Sequence, residues 1–186
     1  MEAPTDVDEE VASWLAAGTP PIFFGFGSIP VESPADTVAM IGAVCAQLGE
    51  RALVGAGWSD FRDVPHMGHV KVVRAVNYAA VFPACRAVVH HGGVGTTAAS
   101  LRAGVPTLIL WTDFEHRLWG TRVKQLKVGT ARRFSATSKQ SLVTDLRTVL
   151  DPRYATRARE VAGQLTKAAE SVAVAADFAE KAARAS

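Results

Sequence analysis

Short apolar runs with no polar alternation constrain this chain more than any other feature. Residues 22–26, Ile-Phe-Phe-Gly-Phe, are apolar on both faces of an extended chain and stop at Gly27-Ser28. A strand of that kind belongs inside a parallel sheet with helices on both sides. The pattern then repeats. Runs at 51–55, 70–73, 87–90 and 105–110 read as further strands. Helical patterns lie between them. After Pro34, residues Val38, Ile41, Cys45 and Leu48 recur at three- and four-residue steps. Helices are also expected at 95–103 and around 118–126. Leu142, Val143, Leu146, Val149 and Leu150 form another stripe. A short helix at 11–17 precedes the first strand, and 155–183 reads as one or two more. Strands alternating with helices at this spacing imply right-handed βαβ units. The expected fold is α/β: one Rossmann-like, doubly wound parallel sheet of about six strands.

One strand-to-helix junction carries the chemistry. Val88-Val89-His90-His91-Gly92-Gly93-Val94-Gly95-Thr96-Thr97 runs from a strand through glycines into a helix. Ligands of open α/β sheets gather at the carboxyl ends of the strands. Glycines there let the backbone turn and let a bulky anion approach closely. The helix that follows offers unpaired N–H groups and partial positive charge, which suit a diphosphate. Thr96 and Thr97 can add hydroxyl donors or cap the helix, and His91 can donate to a phosphate oxygen. A tight turn with solvated His residues explains the glycines alone less economically. No Lys follows the last glycine, so this is not a P-loop. G-x-G-x-x-G is also absent, as is a following acidic residue at a strand end, so a nicotinamide fingerprint is not present.

Composition narrows the partners. The 186 residues are ample for one core. Net charge is +2, from 20 basic and 18 acidic residues that are well mixed, which does not argue for nucleic acid. Cys45 and Cys85 lack metal-like spacing and read as small core residues in a reducing compartment. No stretch approaches the ~18 apolar residues of a membrane helix. The acidic start, 1–10, lacks the order of a signal peptide. A cytoplasmic protein is expected, with attachment at a membrane surface left open. Trp58 and Trp111 read as core packing near strand ends, Arg132 and Arg133 as a solvated edge, and His66 and His69 as surface residues.

Residues His91-Gly92-Gly93-Val94-Gly95-Thr96-Thr97 and the following Ala98 to Pro106 resemble the donor-binding signature of GT-B glycosyltransferases. The branch is that of glycopeptide-antibiotic, sterol and macrolide glycosyltransferases. Within it the wording is most similar to mycobacterial enzymes acting on glycopeptidolipids. Leu15 to Pro21, Gly25-Phe26-Gly27-Ser28, Gly57-Trp58, Val76-Asn77-Tyr78, Phe82-Pro83 and Trp119 to Val123 agree in order. The resemblance therefore covers nearly the whole chain.

It implies the C-terminal, donor-binding half of a two-domain enzyme. Residues 1–20 would be the interdomain linker and short helix, 21–153 the nucleotide-sugar-binding domain, and 154–186 C-terminal helices. The acceptor-binding domain, which carries the general base, would lie outside this chain, so no catalytic residue is expected within it. Transfer with inversion to a hydroxyl of a hydrophobic or lipidic acceptor is implied, with no cofactor and no metal. By the same resemblance His91, the backbone of Gly93, Val94, Gly95 and Thr96, and Ser28 would hold the diphosphate of a uridine or thymidine donor. Val73 and Val76 would line the base, through aliphatic contacts where plant relatives place a stacking Trp. Ala99 stands where relatives often carry an acidic residue for the ribose. Glu115 and His116 replace the Asp-Gln pair that reads sugar hydroxyls in many relatives, which leaves the sugar open, a deoxyhexose included. A solvated, helix-capping loop is the other reading of that pair. A non-catalytic nucleotide-binding module and a nucleotide-sugar epimerase of the same fold are the alternative functions.

Overall fold

The computed structural model describes residues 8–27, 33–57, 64, 66–165, 176–177 and 181. Six parallel strands form one sheet in the order β3-β2-β1-β4-β5-β6. They are β1 (Ile22–Gly25), β2 (Ala52–Gly55), β3 (Val70–Val73), β4 (Ala87–His90), β5 (Thr107–Trp111) and β6 (Gly129–Arg133). The helices are α1 (Glu9–Ala16), α2 (Pro34–Leu48), α3 (Tyr78–Val81), α4 (Val94–Arg102), α5 (Phe114–Gln125), α6 (Lys139–Val149) and α7 (Pro152–Ala162). Ile22 pairs with Ala52 on one side and Ala87 on the other. The strand order reverses at β1, and the chain departs from it in both directions, so a crevice opens between the carboxyl ends of β1 and β4.

Period-two alternation explains the two layers. Ile22 and Phe24 point into a core built with Val38, Ile41, Val44 and Cys45 of α2 and Leu142, Leu146 and Val149 of α6. Phe23 points the other way, beside Val88, Val81 and Phe82. Leu101, Ile109, Val123, Ala158 and Val161 form a third cluster under α4, α5 and α7. Phe23 and Phe24 are each 1 % exposed, and truncating either to Ala would cost about 3–5 kcal/mol. Both cysteines are free and buried as expected, and burial pushes each thiol up to about 12.

The boundaries show where local pattern yields to context. Asp8 caps α1 by accepting from the Glu10 N–H, so that helix starts two residues early. Arg51 lies outside β2 because its guanidinium binds the Thr19 and Trp14 carbonyls and covers the Trp14 ring at 3.7 Å. β5 starts at Thr107, after Pro106, which lacks a ladder donor. The sixth strand, Gly-Thr-Ala-Arg-Arg, has no apolar run. It forms because its backbone pairs with all five residues of β5. It also corrects the reading of Arg132: this side chain is not a free solvated edge but binds the nearly buried Asp145 through Nε at 2.6 Å and Nη2 at 3.0 Å. His69 likewise is no plain surface residue, since its Nε2 lies 2.9 Å from the Gly42 carbonyl oxygen. Among the described residues, no helix is long and apolar enough to cross a membrane.

Candidate functional site

The crevice between β1 and β4 is floored by glycine on both sides. After β1 the chain turns at Gly27, with φ of 60°. After β4 it turns at Gly92, with φ of 107°, and Gly93 starts α4. These glycines make room for an imidazole. A Cβ on Gly27 would stand 2.4 Å from His91 Cε1, and one on Gly93 would stand 2.7 Å from His91 Nε2. The His91 ring is therefore slotted between the two strand ends. A Cβ at Gly95 would meet nothing within 4 Å, and Val94 is exposed. The start of α4 is thus open to solvent, with no side-chain cap at Gly93. The first intrahelical N–H to close is that of Thr97, onto the Gly93 carbonyl at 2.9 Å. The N–H groups of Val94, Gly95 and Thr96 precede it, ahead of the first intrahelical bond.

The two threonines divide their work. Thr97 is fully buried, and its hydroxyl donates to the Gly93 carbonyl at 2.9 Å. Its role is to hold the first turn. Thr96 shares a side-chain hydrogen bond with Tyr78 of α3, which partly offsets the rise that burial imposes on that phenol. Tyr78 in turn stacks on Phe82, with centroids 4.6 Å apart.

Three histidines surround the turn. His90 is 1 % exposed, and its Nδ1 accepts from the Gly92 N–H at 3.1 Å. Burial, then the neighbouring His91 and His116, push it down to about 3, so it is neutral and structural. His91 is half-buried. Burial first and His116 second hold it below the ordinary imidazole value, against the pull of the Gly25 carbonyl and Asp113. His116 meets His91 edge-to-face, with centroids 4.9 Å apart and planes at 79°. Its Nδ1 lies 2.9 Å from Asp113 Oδ2 and 3.0 Å from Thr112 Oγ1. Asp113 also caps α5, accepting from the His116 N–H at 3.0 Å.

Glu115 and His116 consequently lie in the first turn of α5 rather than in a loop ahead of a helix near 118, and they face differently. Glu115 is exposed, whereas the His116 side chain is 15 % exposed against His91. Val73 and Val76 stand at the carboxyl end of β3, half-buried beside Tyr78. They share the sheet edge with His91 but not its immediate surroundings. Ser28 and Trp58 lie outside the described residues. Trp111 packs on the third cluster, with the guanidiniums of Arg117 and Arg133 each 5.8 Å from its ring. Among the described residues, no group of three or more His, Cys, Asp or Glu is placed to hold a metal ion.

Four contributors carry no assigned role in the sequence reading, although Gly25, Gly27 and Tyr78 lie in blocks that carry the resemblance. Gly27 makes the slot, Gly25 offers its carbonyl to His91, Tyr78 engages Thr96, and Asp113 orients His116. Asp113 also has a local signal, as an acidic residue three positions before the residue whose N–H it caps.

A sequence profile of the erythromycin biosynthesis protein CIII-like C-terminal domain family matches residues 52–181. The chain is 63 % identical over 184 residues to an uncharacterized glycosyltransferase of Mycobacterium tuberculosis, covering 99 % of this chain and 44 % of that protein. It is 34 % identical over 174 residues to a sterol 3-beta-glucosyltransferase of Arabidopsis thaliana, covering 91 % of this chain and 28 % of that one. It therefore spans less than half the length of these relatives. Among solved structures, the glycosyltransferase VinC in complex with DTDP superposes with a TM-score of 0.72 at 20 % identity, over 96 % of this chain and 45 % of VinC.

Proposed function

We propose, for a chain that belongs to the erythromycin biosynthesis protein CIII-like C-terminal domain family, that it binds a nucleoside-diphosphate sugar at the β1–β4 crevice. Joined to an acceptor-binding domain, it would transfer that sugar to a hydroxyl. The observation that carries this reading is the open N-terminus of α4 beside the slotted His91 ring. In the proposed complex the diphosphate lies across the N–H groups of Val94, Gly95 and Thr96, with His91 beside it, and Ser28 is assigned to the same diphosphate by the family resemblance. Val73 and Val76 lie towards the base, uridine or thymidine, and Glu115 and His116 towards the sugar, for which a deoxyhexose is one fit.

In the transfer step the acceptor oxygen attacks the anomeric carbon from the face opposite the phosphate, inverting it. The carbon–oxygen bond to the diphosphate breaks, and its electrons stay on the leaving group. A base on the acceptor-binding domain removes the acceptor's proton. This domain stabilises the negative charge through the helix N-terminus and His91. The positive charge comes from the protein, so the reading needs no metal, and a chelator should leave the rate unchanged. The sterol-glucosylating relative supports an apolar or lipidic acceptor, reached from the cytoplasm and with peripheral membrane contact in the whole enzyme. Calorimetry of this chain with thymidine and uridine diphosphate sugars tests the reading. Saturable binding to at least one is expected, and heats no greater than dilution for both would overturn it.

A further inference from the structure

Large apolar side chains left in water are few in this protein, and two of them share one ridge. Among the described residues the exposed large hydrophobics are Val94, Phe114, Leu118 and Leu165, with Phe114 at 71 % and Leu118 at 53 %. Phe114 and Leu118 stand one turn apart on α5, so they lie one above the other on the same face. The opposite face is spent on the core, where Gly120 and Val123 are buried. Cations surround the ridge. Arg122 continues it by a further turn, Arg117 and Lys124 flank it, and all three are exposed. Arg133 comes from the end of β6, where it pairs across the sheet with Trp111. Its guanidinium and that of Arg117 each stand 5.8 Å from the Trp111 ring. Neither guanidinium has a carboxylate partner among the described residues.

We propose that this face of α5, with Arg117 and Arg133 beside it, docks on an anionic lipid bilayer. This rests on the part of the proposed function that brings the whole enzyme to a membrane, and it names the surface and the lipid charge. Charge decides the occupant. Between Trp111 and Gln125, together with Arg133, four basic residues stand against Asp113 and Glu115, an excess of two. That excess equals the net charge of the whole chain, so the remaining residues balance. Asp113 is also occupied, by the His116 N–H and ring. A second protein domain would need a broad apolar patch within about 800 Å² per partner, and two side chains cover far less. A bilayer needs less apolar area. Phe and Leu enter the boundary between headgroups and acyl chains while Arg and Lys reach the phosphates. Trp111, Phe114 and Arg133 all stand at the carboxyl edge of the sheet. The docked domain therefore turns the mouth of the crevice towards the bilayer, where an apolar acceptor would reside.

The test is flotation of this chain with vesicles of phosphatidylcholine alone and of equal parts phosphatidylcholine and phosphatidylglycerol. Binding to the mixed vesicles, little to the neutral ones, and loss of binding as salt rises are expected. Arg117→Gln with Arg133→Gln should weaken mixed-vesicle affinity roughly thirtyfold, or about fivefold for each cation removed. Phe114→Ser with Leu118→Ser should weaken it about tenfold or more. A thermal melt checks that both variants are folded, and calorimetry with a thymidine or uridine diphosphate sugar should find their donor affinity unchanged. No flotation with the mixed vesicles at low salt would overturn the docking surface and leave the donor site standing. Flotation without donor binding would do the reverse. Flotation undiminished in the Phe114→Ser, Leu118→Ser variant would overturn the assignment to α5. If the chain ignores vesicles and instead forms dimers in ultracentrifugation that the same two substitutions dissolve, a second copy replaces the bilayer and the proposal fails.

Discussion

Two helices begin at the carboxyl edge of this sheet, one after β4 and one after β5, and they treat their first N–H groups in opposite ways. α5 starts at Asp113, whose carboxylate accepts from the His116 N–H. α4 starts at Gly93, which has no side chain to offer, and its first turn faces open space at Gly95. A carboxylate cap is worth about 1 kcal/mol to a helix, so α4 forgoes stability that α5 keeps. The difference teaches what sets the proposed binding end apart: orphan donors, a partial positive charge and no competing anion. α5 uses its cap for another purpose, since the same Asp113 that closes the helix also orients His116 towards His91.

The contrast can be broken most severely by giving α4 a cap of the α5 kind. Gly93→Asp places a carboxylate where the diphosphate would lie and crowds the His91 ring. Donor affinity measured by calorimetry should fall by roughly a hundredfold or more. Retained affinity would mean that the donor does not use this helix end. His91→Ala removes the imidazole but leaves the amides open. The loss of a charge-assisted hydrogen bond predicts about 1.5–3 kcal/mol, or roughly ten- to hundredfold weaker binding.

The turn into α4 should also be the acid-sensitive one. His90 titrates at about 3 in the folded chain against 6.5 for a free ring. Below 6.5 the unfolded ring takes a proton that the folded one refuses. Stability is therefore complete above that value and falls as pH drops, by up to about 1.4 kcal/mol per pH unit from this group. Urea titrations at pH 7, 6 and 5 would read the slope, and His90→Asn should flatten it. Asp113→Ala sharpens the α5 side. It should cost about 1 kcal/mol of stability as a lost cap, visible as a lowered urea midpoint. The least effect is expected from Thr96→Val, which breaks the link to Tyr78 but keeps the backbone N–H. Its donor affinity should change by no more than about threefold, in keeping with one neutral hydrogen bond.

Most of the fold was legible because its strands declare themselves locally. Ile22-Phe23-Phe24 and Ala87-Val88-Val89 are apolar on both faces, and only a two-sided core satisfies them. β6 is not legible as a strand because Gly129-Thr130-Ala131-Arg132-Arg133 has no such pattern, and its existence depends on the free edge of β5. The periodicity puts the start of α5 too late, near 118 rather than Phe114, for a related reason. Phe114 is 71 % exposed and Leu118 53 % exposed, so the first turns carry apolar residues on the solvent side and the expected periodicity is blurred.

The glycine turn was equally plain in the sequence, as was the family resemblance that its neighbouring blocks carry. Both depend on residues close together in the chain, where backbone conformation and helix start are settled by a few side chains. What the turn is built against came only from the tertiary structure. Gly25 and Gly27 reach His91 because β1 and β4 are neighbours, and His116 reaches it because β5 lies on the other side of β4. Strand order is a property of the whole sheet, and no local period encodes it. The sequence by itself thus determined a strand, a glycine turn and an uncapped helix. The tertiary structure decided that the His91 imidazole would sit in a glycine slot with a second imidazole against it, because the slot closes only when β1 pairs with β4, a strand far from it in the chain.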